Sequence, residues 1–319
     1  PVNKMNKKIE KILYLPNPRG FCAGVERAIN IVELSLEKYG PPIYVRHEIV
    51  HNPWVVKDLE SKGVVFVDEL DDIPEGARVI FSAHGVSSLV KEEAKEKKIP
   101  FIDATCPLVL KVHIEAKRHF ENGAHIFLIG HKGHPEVDGT MGQIPSQSIT
   151  LIENINDIKK LNNSNFNKVA LITQTTLSVD DTAKLIRALK KKFPDLIEPP
   201  REDICYATTN RQAAVKSIAK KCDAIYVIGG ENSSNSIRLV EVASQSGCKN
   251  TFLISEIKSI NWDEMVHFET IGLTASASAP EILVDEFLNL FKNKFHVKIK
   301  KSVIADENIS FKIPRELRE

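Results

Sequence analysis

The sequence predicts an α/β protein of parallel sheets with helices on their faces. Three observations carry that prediction. Short runs rich in Val, Ile and Phe alternate with stretches of helical periodicity along the whole chain. Polar clusters recur where the strand runs stop, and Cys22, Cys106 and Cys205 each mark a place where such a run gives way to a helix. Alternation of this kind means parallel pairing, because parallel neighbours need a crossover between them.

An apolar strand at 12–15 runs into Pro16 and Pro18, turns at Gly20, and delivers Cys22 to the start of a helix over 24–39. Strand runs at 43–46, 64–67, 78–82 and 100–104 enclose helical stretches at 53–62 and 87–97. The last of these strands ends in Asp103-Ala104-Thr105-Cys106-Pro107, with the proline where a helix tolerates it first, and a helix follows over 107–122. Strands at 125–130, 149–152 and 168–173 precede a helix over 180–193, and the Lys- and Asn-rich stretch 159–168 reads as a solvated loop. After a break at Pro199-Pro200, Asp203-Ile204-Cys205 leads to a helix over 211–221. Strands at 224–229, 251–254 and 270–274 and helices at 235–247 and 281–293 complete the pattern.

At 319 residues the chain exceeds one typical core and suits two or three domains, with breaks near 106 and 200. Its 42% hydrophobic and 27% charged residues are those of an ordinary globular protein. A formal charge of +1 gives no reason to expect a nucleic-acid partner, and no apolar run approaches the length of a membrane span. Residues 1–8 lack the apolar centre of a signal peptide. Five cysteines without close pairing do not make a disulfide framework; they point to a reducing compartment or a metal site.

One cysteine at a tight turn is usually a small packing residue, which is the role expected of Cys222 and Cys248. Three at equivalent strand-to-helix corners are different. The positive end of a helix favours the thiolate form that binds metal. Three thiolates suit a four-iron cubane with one iron left open, although spacing alone admits zinc.

Ligands of open parallel sheets sit beyond the carboxyl ends of the strands. His51, His84 and His134 follow strands there, beside Gly, Asn or Pro. Singly each would be an ordinary loop histidine; together they suit an anion. Ser233-Ser234-Asn235-Ser236 opens a helix, where one capping residue would suffice, so hydroxyls and backbone N–H groups make an anion cradle that Ser278 joins. No Walker-type loop is present, which argues against nucleotide hydrolysis. Glu136, in a glycine-flanked loop beside His134, is the candidate proton donor, with Thr175 to position the proton and Asp138 as the alternative acid.

The stretches PRGFCAGVERAI, HEIVHNP, SAHGVS, DATCPLV, GHPEVDGTMGQ, TQTTLSVDDT, DICYATTNRQ, NSSNS and SASAP, and a tail FKIPRELR, span nearly the whole chain in order. In them the chain resembles the iron-sulfur 4-hydroxy-3-methylbut-2-enyl diphosphate reductases of the non-mevalonate isoprenoid pathway; Ser276 departs from the expected glycine. The resemblance implies three similar α/β domains in a trefoil around a central 4Fe-4S cluster held by Cys22, Cys106 and Cys205. Its domains would be 24–106, 107–201 and 202–297, with an N-terminal strand at 11–23 joining the third and a tail at 298–319. It implies reductive dehydroxylation of an allylic alcohol diphosphate to isopentenyl and dimethylallyl diphosphate. Two electrons would come from ferredoxin or flavodoxin through a cluster whose open iron takes the hydroxyl. His51, His84, His134, Ser233, Ser234, Asn235 and Ser278 would hold the diphosphate, and Glu136 with Thr175 would supply the proton. The setting implied is a bacterial cytoplasm or a plastid-type organelle reached with a targeting segment since removed. An iron-sulfur hydratase, a redox carrier and a zinc-stabilised binding protein are the rival readings of the same residues.

Overall fold

The structure, a computed structural model, describes residues 8–318. Residues 1–7, part of the segment in which no signal peptide is expected, lie outside the described residues. In chain order the first elements are β1 (Glu10–Asn17), α1 (Ala23–Tyr39), β2 (Ile43–Arg46), α2 (Pro53–Ser61), β3 (Val64–Val67), β4 (Val79–Phe81), α3 (Ser88–Glu96) and β5 (Phe101–Asp103). Then come α4 (Pro107–Glu121), β6 (His125–Ile129), α5 (Pro135–Met141), β7 (Ile149–Ile152), α6 (Ile155–Lys160), β8 (Val169–Thr173) and α7 (Val179–Lys192). The last are α8 (Tyr206–Ala219), β9 (Ala224–Ile228), α9 (Ser234–Gln245), β10 (Asn250–Ile254), β11 (Thr270–Ala275), α10 (Glu281–Lys294) and β12 (His296–Val303). Among the described residues no helix is long and apolar enough to cross a membrane.

Every strand run and helical stretch expected from the sequence is present, and the fold is α/β with three parallel sheets. The differences have local causes. Helix α5 is only seven residues long and contains Gly139, so PEVDGTM reads as a loop; a Cβ on Gly139 would lie 3.2 Å from the Gly85 backbone. Helix α6, capped by Asn154 and Asp157, precedes the stretch read as a loop and runs into its first two residues. Helix α8 starts at Tyr206 rather than Arg211, because its first turns bury Ala207 and Thr208 and show no apolar period. Strand β12 reads as a charged tail because it is an edge strand whose lysines face solvent, a usual protection against unwanted pairing.

The chain forms two compact units. One holds the residues up to Cys22, His51–Val55 and Thr209–Asn308, around a five-stranded parallel sheet of order β10-β9-β11-β1-β12. Both faces are covered, as parallel sheets require. Tyr226 and Ile228 of β9 turn towards Leu13, Leu273, Phe287 and Phe291, whereas Ile225 and Val227 pack on Val215, Leu239 and Val242 of α8 and α9.

The other unit holds Ala23–Val50, Val56–Thr208 and the residues from Ile309 onward, with parallel sheets of order β3-β2-β4-β5 and β7-β6-β8. The same alternation holds on β6. Phe127 and Ile129 meet Leu189 and Phe193 on the α7 side, and Ile126 and Leu128 meet Val112 and Ala116 of α4. On β6, β8 and β9 burial on two faces leaves mainly the strand ends for polar groups.

Candidate active site

In the unit with the five-stranded sheet, the polar groups gather at the ends of β9 and β11. Ser233 caps α9, its hydroxyl accepting from the Ser236 N–H, and Ser233, Ser234 and Asn235 are all buried. Asn235 Oδ1 accepts the Ala277 N–H at 2.8 Å. Ser278 Oγ donates to the His51 carbonyl at 3.1 Å, and Asn232 Nδ2 lies 3.3 Å from His51 Nδ1. His51, Ser233, Ser234, Asn235 and Ser278 are therefore brought together around a helix N-terminus, where backbone dipole and hydroxyl donors favour an anion. A Cβ on Gly230 would come within 2.6 Å of the His51 carbonyl, so only glycine lets this loop close on the histidine. The Ser276 hydroxyl lies 3.4 Å from Ser278 Oγ.

Cys22 belongs to the same neighbourhood. Gly20, at φ +71°, makes the turn that no side chain would allow cheaply, and its N–H donates to Ala275 O. The Cys22 N–H then donates to Ala277 O at 3.3 Å, the residue whose own N–H reaches Asn235. Arg211, 1% exposed, braces this corner: it donates to the carbonyls of Gly20 (2.9 Å) and Phe21 (3.1 Å) and pairs with Glu307 at 3.0 Å.

In the second unit a run of contacts links the other thiols to the acid. Cys106 is the N-cap of α4 and its N–H donates to Ala83 O, beside His84. The His84 and His134 rings meet edge to face, centroids 5.7 Å apart. His134 caps α5, its Nδ1 accepting the Glu136 N–H at 3.1 Å. Glu136 accepts from the Thr175 N–H at 2.6 Å and the Thr175 hydroxyl at 2.9 Å. Thr175 O in turn accepts the Cys205 N–H at 3.0 Å, and Cys205 Sγ is 3.2 Å from Thr208 Oγ1.

Glu136 is not the solvated loop residue its glycine-rich surroundings suggest. It stands in the first turn of α5 at 3% exposure, and burial pushes its pKa from 4.5 up to about 7, against the two Thr175 hydrogen bonds and with the nearby Asp203 charge. Asp138, the alternative acid, is exposed and is set aside.

The first turn of α1 touches the neighbours of both thiols in this unit. The Ala23 N–H donates to the Tyr206 hydroxyl at 3.3 Å, and Arg27 Nη1 donates to Thr105 O at 3.2 Å. Cys22, Cys106 and Cys205 are half-buried thiols at helix starts, whereas Cys222 and Cys248 are packed in an apolar cluster. Burial pushes Cys222 up to about 12 and Cys248 upward, which suits packing and not ligation. The chemistry of the three corner thiols thus fits a cubane. Among the described residues no three His, Cys, Asp or Glu side chains are grouped as ligands of a single ion, and a cubane does not ask for that, since each thiolate meets a different iron.

His113 and His119 are packing residues, buried on α4; burial lowers the His113 pKa to about 4. Arg211, Glu307, Lys111 and Asp203 escape a reading by residue type, because their partners are main-chain groups or distant in sequence. The arginine and the aspartate do lie inside DICYATTNRQ, the one local signal available.

The chain is similar to known proteins over nearly its whole length. Residues 13–292 match the model of the family described as LytB protein. The chain is 53% identical over 315 residues to a 4-hydroxy-3-methylbut-2-enyl diphosphate reductase of Paracoccus denitrificans, covering 99% of this chain and 100% of that protein. It is 52% identical over 307 residues to the reductase of that name from Ruegeria pomeroyi, covering 96% and 97%. Among solved structures, the E-1-hydroxy-2-methyl-but-2-enyl-4-diphosphate reductase of Plasmodium falciparum superposes with a TM-score of 0.92 at 43% identity, over 98% of this chain and 97% of that one.

Proposed function

Given that this chain belongs to the LytB family, we propose that it reduces 4-hydroxy-3-methylbut-2-enyl diphosphate as its relatives do. It is an oxidoreductase of isoprenoid biosynthesis. The reaction takes two electrons and two protons. The allylic C–O bond breaks, its oxygen leaves as water, and a C–H bond forms, giving isopentenyl or dimethylallyl diphosphate. A ferredoxin- or flavodoxin-class protein is the electron source in this reading, and its bacterial relatives support a cytoplasmic setting.

The residues divide the work. His51, Ser233, Ser234, Asn235 and Ser278, with His84 and His134, hold the diphosphate, mostly through neutral donors and a helix N-terminus. Cys22, Cys106 and Cys205 hold a 4Fe-4S cluster, which when bound supplies the electrons and the Lewis acidity of an open iron. Glu136 holds the proton that turns hydroxide, a poor leaving group, into water, and Thr175 aims that carboxyl with two hydrogen bonds.

The observation that carries this reading is the series of contacts from Cys106 through Ala83 and its neighbour His84, then His134, Glu136 and Thr175, to Cys205, with a near-neutral acid in its middle. Anaerobic purification with iron and sulfide counts, followed by turnover with and without reductant, tests it. Zinc in place of iron and sulfide, or turnover that needs no reductant, would refute it.

A further inference from the structure

Asp203 enters the chemistry above only through its charge near Glu136, yet its side chain is fully removed from solvent. Its Oδ2 accepts the Thr173 N–H at 2.9 Å and its Oδ1 accepts from Lys111 Nζ at 3.0 Å. Lys111 stands on α4, the helix that Cys106 caps. The same ammonium donates to the carbonyls of Arg201 (3.0 Å) and Glu202 (3.4 Å), with the Glu115 carboxylate 3.8 Å away. One amine therefore grips the three residues that lead to Cys205. Thr173, held by the other oxygen, is two residues before Thr175, which bonds both Glu136 and the Cys205 N–H.

We propose that Asp203 and Lys111 are positioning residues: together they fix the separation of the Cys106 and Cys205 thiols and, through Thr175, the aim of Glu136. Stability alone is a weak reason for such a pair, because apolar residues of similar volume often replace a buried ion pair without loss. An apolar pair lacks direction. The two oxygens of Asp203 point at a helix side chain and a strand-end N–H at once, so they tie the corner behind Cys106 to the corner before Cys205. Ligands of one cubane must meet separate irons at set spacings, and outer partners of metal ligands typically carry a 10- to 100-fold effect on retention or activity.

The inference rests on the reading that these thiols hold a cluster, and the experiment keeps the two apart. Wild type, Asp203→Asn, Lys111→Gln and the double variant are loaded anaerobically, and iron, sulfide, midpoint potential, rate of cluster loss to a chelator and thermal melting are measured. Asp203→Asn and Lys111→Gln are each expected to lose the cluster roughly 10- to 100-fold faster than wild type, with a shifted potential. The double variant should melt closer to wild type than Lys111→Gln does, because Asp203 is then no longer left as a buried charge without its ammonium, and still lose its cluster as fast as the single variants. Should Asp203→Asn fail to fold, Lys111→Gln carries the test. A loaded wild type beside single variants with unchanged potential and retention overturns the proposal alone, as does a double variant that recovers retention together with melting. A wild type that takes up no iron and sulfide overturns the cluster reading, and the proposal with it.

Discussion

Replacing Glu136 by glutamine separates its proton from its shape. The carboxyl is buried at 3% exposure and its pKa stands at about 7 against 4.5 for an ordinary glutamate, burial being the largest cause. If the protonated form delivers the proton, wild-type kcat is flat at low pH and falls about tenfold per pH unit above about 7, where the carboxylate takes over. Glu136→Gln should lower kcat by about 10²- to 10⁴-fold, leave KM nearly unchanged and abolish that limb. The same group bears on stability, with a definite sign. A folded-state pKa above the unfolded one stabilises fully below about 4.5, and that contribution is lost as pH rises through about 7. At about 1.4 kcal/mol per tenfold change in proton affinity, the loss is about 3 kcal/mol. Denaturation of both proteins at several pH values should therefore show the glutamine variant gaining about 3 kcal/mol on wild type from acid to alkaline conditions. A wild-type kcat without a break near neutrality, or a stability difference independent of pH, would show that Glu136 is not a neutral buried acid.

Three further outcomes are expected. Cys22→Ser, Cys106→Ser and Cys205→Ser should each remove visible cluster absorption and turnover, while Cys222→Ser keeps both and loses about 1–3 kcal/mol of stability to a hydroxyl in an apolar cluster. Gly230→Ala drives a Cβ against the His51 carbonyl, so KM for the diphosphate should rise roughly 10- to 100-fold with the cluster intact, as steady-state kinetics and absorption spectra would register. Arg211→Met leaves Glu307 without its guanidinium partner and should cost about 3 kcal/mol in chemical denaturation, a loss Arg211→Lys repairs only in part because an ammonium cannot span the same carbonyls and carboxylate.

The sheets were legible because strands such as β8 and β9, buried on both faces, consist of short apolar runs that end abruptly. The anion cradle was legible for a related reason: four consecutive polar residues opening α9 exceed what a cap requires. Glu136 was found by its neighbours but placed in the wrong setting, since a seven-residue helix with an internal glycine carries no period to detect. Strand β12 was hidden by its lysines, and the braces at Arg211 and Asp203 by partners that are carbonyls or N–H groups, which every residue has. Side-chain type reports what a residue offers; only the fold reports what it is offered.

Strand β1 lies between β11 and β12, so the first strand of the described residues is flanked by the last two. Its apolar residues Leu13 and Leu15 must stay shielded until β11 has been made, a task that falls to chaperones or to transient collapse. The corner that ends in Cys22 inherits the delay, because Ala275, Ala277 and Arg211 all emerge late. Maturation of the Cys22 corner is thus ordered by topology, since it cannot close before residues 211–277 have been made.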